Sequence, residues 1–348
     1  MLTASYQKYT LEFKQPSGTS RGILKTKDTW FLILTDGDRW GIGECGMLKG
    51  LSIDDRPDFE STLQWVCDSI HLGAETLYTS LTQFPSIQLG VETAFRSFAA
   101  QDPFQLFPSK FTQGKASIPI NGLIWMGDKA FMKKQIGEKL KEGFTCIKMK
   151  IGAIDFDTEL ELLAAIRKEF SPSDGELRVD ANGAFSSAEA LEKLKRLSAL
   201  QIHSIEQPIP PKQWEEMASL CEKSPLPIAL DEELIGVFSL PEKEELLRTI
   251  RPQYIILKPS FIGGFQGTDS WISLTEKYQV GWWVTSALES NVGLNAISQY
   301  TFTKNSKLPQ GLGTGSLYTN NIKAPLKVSK GYLAYDHNKN WDITKICS

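Results

Sequence analysis

Short apolar stretches alternate with longer stretches of helical spacing through most of the chain. The short ones fall at 116–125, 145–152, 176–181, 203–207, 228–231, 254–258, 281–285 and 310–313. The intervening segments, such as 129–142 and 157–170, repeat apolar residues every three or four positions. This strand–helix alternation over eight strands predicts a parallel β/α barrel. A doubly wound open sheet is the alternative, although no GxGxxG follows an early strand. Before residue 116 the pattern differs. Strands are predicted over 6–13, 30–35 and 40–44, with Asp36-Gly37-Asp38 turning the chain, followed by helices over 58–83 and 88–101. Polar, glycine-bearing loops are expected at 16–22 and 45–52, and 102–115 reads as a linker. The chain therefore divides into an α+β domain over 1–115 and a β/α barrel over 116–319. Leu333-Ala334-Tyr335 is strand-like, so 320–348 is expected to return to the first domain.

Composition narrows the class only a little. The 348 residues are 41% hydrophobic, enough for a sizeable core. The net charge is -3 and no long basic run occurs, which argues against nucleic acid or a membrane surface as partner. No apolar run approaches the ~20 residues that span a bilayer. Five widely spaced cysteines without a CxxC read as free thiols in a cytoplasmic protein. Three histidines poorly supply any mechanism that needs several. Among them His203 is expected to face the helices, opposite Glu206. The oligomeric state is left open.

The stretch 145–152 alters this picture. Side chains of a strand alternate, so Lys148 and Lys150 share one face while Ile147, Met149 and Ile151 take the other. Alone, a two-lysine face reads as solvated. The neighbouring strands reverse that reading, because they too end in charge: Asp180, Glu206, Asp231 and Lys258 follow Lys150 at intervals of 30, 26, 25 and 27 residues. One strand–helix unit separates each from the next, which puts all five on the C-terminal rim, where barrel enzymes keep their active sites. Any one acid could be a helix cap, as Asp231 could. Three acids in phase, with no Cys or His among them, form an all-oxygen set suited to Mg²⁺. Lysines beside that site could act on a proton next to a carboxylate.

These residues resemble the enolase superfamily, muconate-lactonizing subgroup. The likeness rests on the Lys148/Lys150 pair, Asp180 in DANGAF, Glu206 in IEQPI, Asp231 and Lys258, and it covers almost the whole chain. It implies an α+β capping domain over 1–115 and a modified TIM-type barrel over 116–319. It further implies Mg²⁺ held by Asp180, Glu206 and Asp231, with Lys150 as base, Lys148 as its electrostatic neighbour and Lys258 facing the base across a small carboxylate substrate. Asn182 shares the face of Asp180 and could hydrogen-bond near the metal, or be a turn residue before Gly183.

Within the subgroup, dipeptide epimerases carry an Asp-x-Asp at the end of strand eight. Here that place reads Gly311-Leu312-Gly313-Thr314-Gly315, without an acid, and Gly313 and Thr314 suit an anionic group. Ser286 could donate to a carboxylate or simply cap a strand end. Arg21 in the first loop could serve as a lid cation or be solvated. The resemblance thus points to a dehydratase that aromatises a cyclohexadiene carboxylate bearing a succinyl group. A racemase or epimerase of N-acylated amino acids or dipeptides, a non-catalytic barrel-scaffold binding protein and a phosphosugar barrel are the alternatives.

Overall fold

The computed structural model describes residues 1–19 and 22–346. A three-stranded antiparallel sheet opens the chain: β1 (Thr3–Thr19), β2 (Gly22–Thr35) and β3 (Trp40–Cys45), in that order. The expected loop at 16–22 is largely strand, since Ser17 pairs with Leu24 and Thr19 with Gly22 beyond a register shift after Glu12. Three helices follow, α1 (Phe59–Asp68), α2 (Gly73–Ser80) and α3 (Pro85–Ala99). The single helix expected over 58–83 is therefore broken at Ser69–Leu72 by a 3₁₀ turn. Trp30, Leu32, Leu34, Leu63, Ile87 and Val91 form the core between this sheet and its helices.

The barrel sheet runs β5 (Gly122–Ile124), β6 (Cys146–Lys150), β7 (Glu176–Asp180), β8 (Ser204–Glu206), β9 (Ile228–Leu230), β10 (Tyr254–Leu257) and β11 (Gly281–Val284), all parallel. The helices between and after these strands are α4 (Lys129–Lys141), α5 (Phe156–Glu169), α6 (Ser187–Ser198), α7 (Trp214–Lys223), α8 (Leu240–Ile250), α9 (Pro259–Ile262), α10 (Gly264–Tyr278) and α11 (Asn291–Thr303). Local capping fixes several starts: Asp155 accepts from the Thr158 N–H ahead of α5, and Ser239 and Glu242 make a capping box at α8.

Among the described residues the barrel sheet has seven strands, not eight. The expected strand at 310–313 is reduced to two parallel bridges, Ile120 with Gln310 and Thr285 with Gly311, which close the ring. The strand expected over 116–125 also splits. Its first part, β4 (Ser117–Pro119), pairs with β13 (Tyr332–Tyr335), which pairs in turn with β12 (Leu326–Ser329). Leu333–Tyr335 thus returns beside the barrel and not to the first sheet. Flanking segments do reach that sheet: Ile322 and Ile346 pack with Phe31 and Ile42, and the Tyr9 hydroxyl donates to the Asn320 carbonyl at 2.6 Å.

Alternation within the barrel strands positions the site. Ile147, Met149, Leu177, Val179, Ile205, Leu230 and Leu257 face outward onto Leu162, Ile166, Leu194, Leu246 and Trp271. The opposite parity turns inward and holds nearly all the charge. Trp283 lies inside with Ala229 and Ile256, whereas Trp282 packs on the outer core. His203 sits beside the Tyr254 and Trp283 rings, at the floor of the barrel and not among the helices. It precedes β8, so strand parity does not govern it.

Candidate active site

Lys148 and Lys150 are buried, at 5% and 8% exposure, which excludes the solvated-face reading. Register accounts for their neighbours: Lys150 pairs with Asp180, and Asp180 with Glu206, across β6, β7 and β8. Lys150 Nζ donates to Asp180 Oδ2 (2.8 Å) and Asn182 Oδ1 (2.7 Å). Lys148 Nζ donates to Asp180 Oδ2 (3.0 Å) and Glu206 Oε2 (2.8 Å). On the other side, Lys258 Nζ donates to Asp231 Oδ2 and lies 4.0 Å from Glu206 Oε1. The five expected rim charges and Lys148 therefore form one chain of contacts, Lys150–Asp180–Lys148–Glu206–Lys258–Asp231.

Burial opposes the charges of Lys148, Lys258, Asp180 and Glu206, and the partners decide the balance. Burial pushes Lys148 down, but Asp180 and Glu206 outweigh it and hold the ammonium form firmly. Lys258 is likewise lowered by burial and raised overall by Asp231 and Glu206. Burial raises Asp180, yet Lys148, Lys150 and Lys258 bring it far below the usual carboxylate range. Glu206 goes the other way: burial and the adjacent Asp180 raise it despite Lys148.

The carboxylates turn toward the lysines, so among the described residues no three acidic, His or Cys groups converge as an ion cage. The donor set nevertheless fits a hard divalent cation. It is all oxygen and buried, on adjacent strands, and Glu206 Oε1 has no hydrogen-bond partner.

Loops beyond the strand ends complete the setting. Asn182 adopts a left-handed φ of 45°; its N–H donates to Asp180 Oδ1 and its Nδ2 to Glu232 Oε1, both at 3.0 Å. It is thus a turn residue and a ligand of Lys150 at once. Glu232 and Glu233 are buried in the first turn of a short 3₁₀ helix, Glu232–Leu234. Gln207, which sequence reasoning passed over, holds that turn: its Oε1 accepts from the Asp231 and Glu233 N–H groups, each at 3.2 Å. A buried amide directly after Glu206 was the available signal.

A cavity of about 500 Å³ opens over the cluster, lined by Lys148, Lys150, Asn182, Lys258, Ser286 and Thr314 among others. Gly313 also lines it, and the Gly313 and Thr314 N–H groups donate to no protein acceptor among the described residues. Gly311 is glycine for a steric reason, since a Cβ there would come within 2.5 Å of the Thr285 side chain. The Ser286 hydroxyl commits its proton to Glu289 Oε2 and accepts from Thr314 Oγ1 (2.9 Å) and the Leu288 N–H (3.1 Å). Leu48 and Leu51, from the loop at 45–52, close one side. Arg21 lies outside the described residues.

The family description "Enolase C-terminal domain-like" matches residues 132–338, and the chain belongs to this family, in the enolase superfamily. The chain is 47% identical to an o-succinylbenzoate synthase of Desulfotalea psychrophila, over 94% of this chain and 98% of that one. The crystal structure of MenC from the same organism superposes with a TM-score of 0.85 at 42% identity, covering 96% of this chain and 99% of the other. More distant is the L-Ala-D/L-Glu epimerase of Bacillus subtilis, 28% identical over 47% of this chain and 44% of its own. Its substrate-liganded structure shares the fold, with a TM-score of 0.82 at 20% identity over 95% of both chains. The modified barrel with a separate cap sheet is the architecture of these neighbours.

Proposed function

We propose that this chain is an o-succinylbenzoate synthase, a carbon–oxygen lyase that dehydrates 2-succinyl-6-hydroxy-2,4-cyclohexadiene-1-carboxylate in menaquinone synthesis. The observation that carries the reading is the placement of Lys150 and Lys258 on the two sides of a buried carboxylate cluster under one cavity. The relative identical at 47% over nearly the full length of both chains supports it. Residues 1–115, with the segments around Ile322 and Ile346, act as the cap, and 116–319, with β12 and β13 beside it, as the catalytic barrel. The enzyme acts in the cytoplasm; among the described residues no helix is long and apolar enough to cross a membrane.

Each residue has a chemical task. The Lys150 amine takes the proton α to the ring carboxylate. The Lys258 ammonium lends positive charge from the opposite side as the carboxylate oxygens gain negative charge. Lys148 keeps Asp180 ionised and holds the Asp180 and Glu206 carboxyl groups in place. The protonated Lys150 then returns its proton to the departing hydroxyl on the same face. The C–H and C–O bonds are lost, water leaves and the ring becomes aromatic. Asp180, Glu206 and Asp231 would hold Mg²⁺, which when bound supplies further positive charge for the substrate carboxylate. The free N–H groups of Gly313 and Thr314 suit the second carboxylate, on the succinyl arm, and Arg21 is a candidate cation for it from the cap.

The assay is ultraviolet: the aromatic dicarboxylate should form with Mg²⁺ present and not after chelation. Absence of product from the metal-replete protein would defeat the reading. Racemisation of N-acylated amino acids is a second reading, favoured by the two lysines lining one cavity. It predicts α-deuteration with inversion in D₂O.

A further inference from the structure

Behind the cavity wall lies a second buried charge cluster that joins the cap to the barrel. Glu289 is fully buried, at 0% exposure, in the loop between β11 and α11. Its two oxygens are divided between two rim segments. Oε2 accepts from Ser286, at the end of β11, and Oε1 from Ser260, two residues beyond Lys258. Through Ser286 the same carboxylate reaches Thr314, on the neighbouring loop that also lines the cavity. Glu289 therefore binds three rim segments without itself touching the cavity.

The charge opposite comes from the cap. Lys27, on β2, is buried and its Nζ has no hydrogen-bond partner. It lies beside Glu289 and Glu44: a Cβ built on Gly46 would meet Glu289 Cγ at 3.2 Å, Lys27 Nζ at 3.3 Å and Glu44 Oε1 at 3.7 Å. Glu44 is already committed elsewhere. It accepts from Thr29 Oγ1 (2.8 Å), from the N–H groups of Ser290 and Gly293 (2.8 Å each) and from the Ser290 hydroxyl, at the N-terminus of α11. Burial lowers Lys27 and raises Glu289, and each group opposes that shift in the other.

We propose that Glu289 is a positioning residue for the anion-binding rim and that Lys27 of the cap is its counter-charge, so that seating of the cap sets the orientation of Ser286 and Thr314. This rests on the proposed function only for the identity of the anion. The argument is one of hydrogen-bond direction. A hydroxyl has one proton, and Glu289 takes that of Ser286. Ser286 must then accept from Thr314 and Leu288, which fixes the Thr314 side chain beside the Gly313 and Thr314 N–H groups that have no protein acceptor among the described residues. A glutamine at 289 is isosteric but replaces one acceptor by a donor. One serine must then reverse its proton, and Lys27 loses its match.

The test uses the full chain with Mg²⁺ and measures the calorimetric Kd of o-succinylbenzoate alongside KM, kcat and the thermal midpoint. Glu289→Gln should raise Kd and KM at least about tenfold, with kcat changed much less. Adding Lys27→Met should recover part of that loss, because the unmatched ammonium is removed. Unchanged Kd and KM in Glu289→Gln would overturn the proposal. So would strictly additive effects in the double variant, or a loss of affinity that merely follows a fall in the thermal midpoint. Product binding reads the rim without turnover, so a wild type that binds but does not dehydrate fails the proposed function and leaves this assignment to stand or fall by the variants.

Discussion

Arg178 and Asp180 stand two residues apart on β7, both turned into the barrel, both buried, and held in opposite ways. Arg178 belongs to the floor. Its guanidinium donates to Glu176 Oε2 (2.7 and 3.1 Å) and to the Pro309 carbonyl (3.0 Å), and it stacks 4.0 Å from the Trp283 ring. One cation meets one anion, a carbonyl and an aromatic face, and its charge is locally matched. Asp180 belongs to the rim. Two ammonium groups compete for its Oδ2, and the next carboxylate along, Glu206, keeps an oxygen without a partner. Matched charge under a packed ring holds a barrel together. Shared charge with an acceptor oxygen left unfilled beneath a cavity is available to a ligand.

Three experiments press on that contrast. The largest effect is expected at the rim. Lys150→Ala should lower kcat by at least about 10³-fold while the circular dichroism spectrum stays native, since Asp180 keeps Lys148. Substantial remaining turnover would remove Lys150 from its role. At the floor the outcome should invert. Arg178→Met strands Glu176 and should cost about 3 kcal/mol in urea unfolding, moderated because Glu176 is 30% exposed. Folded enzyme should keep kcat within about threefold. A loss of activity with unchanged stability would show that floor and rim are not separate.

The smallest effect concerns a partly buried carboxylate far from both. Glu92 on α3 accepts from the Phe265 and Gln266 N–H groups (2.6 and 3.0 Å) at the start of α10, and burial pushes it up to about 7. The unfolded chain ionises this group near its ordinary 4.5, the folded chain only near 7. Between those values the folded state binds more protons, so stability falls as pH rises. The slope is at most about 1.4 kcal/mol per pH unit. Glu92→Gln should flatten that part of the thermal-midpoint profile between pH 4.5 and 7. A midpoint that rises through the same window would refute the sign.

Local and periodic features were legible in the sequence. The strand order, the parity that turns Lys148 inward, and the five rim charges all follow from spacing, because register repeats once per strand–helix unit. Where contact distance in sequence was long or parity lapsed, the pattern fell silent. Lys27 and Glu289 meet across most of the chain, and Lys27 lies before the strand expected at 30–35, so no alternation placed it. His203 lies just outside its strand, so face assignment by alternation misplaced it. The eighth strand is only two bridges, closed by backbone contacts that no composition announces. Ser286 showed its residue type but not its direction, which a carboxylate three residues later decides.

The joints between the first sheet and the last segments bear on synthesis. Glu44 needs the N–H groups of Ser290 and Gly293, the β1 backbone needs Asn320, and Phe31 needs Ile322 and Ile346. A ribosome delivers the partners of the opening strands last. The N-terminal sheet therefore waits, incompletely covered, while the barrel is translated. Nascent chains stalled before residue 320 should expose β1 and β2 to protease, and the release of the final segment should protect them.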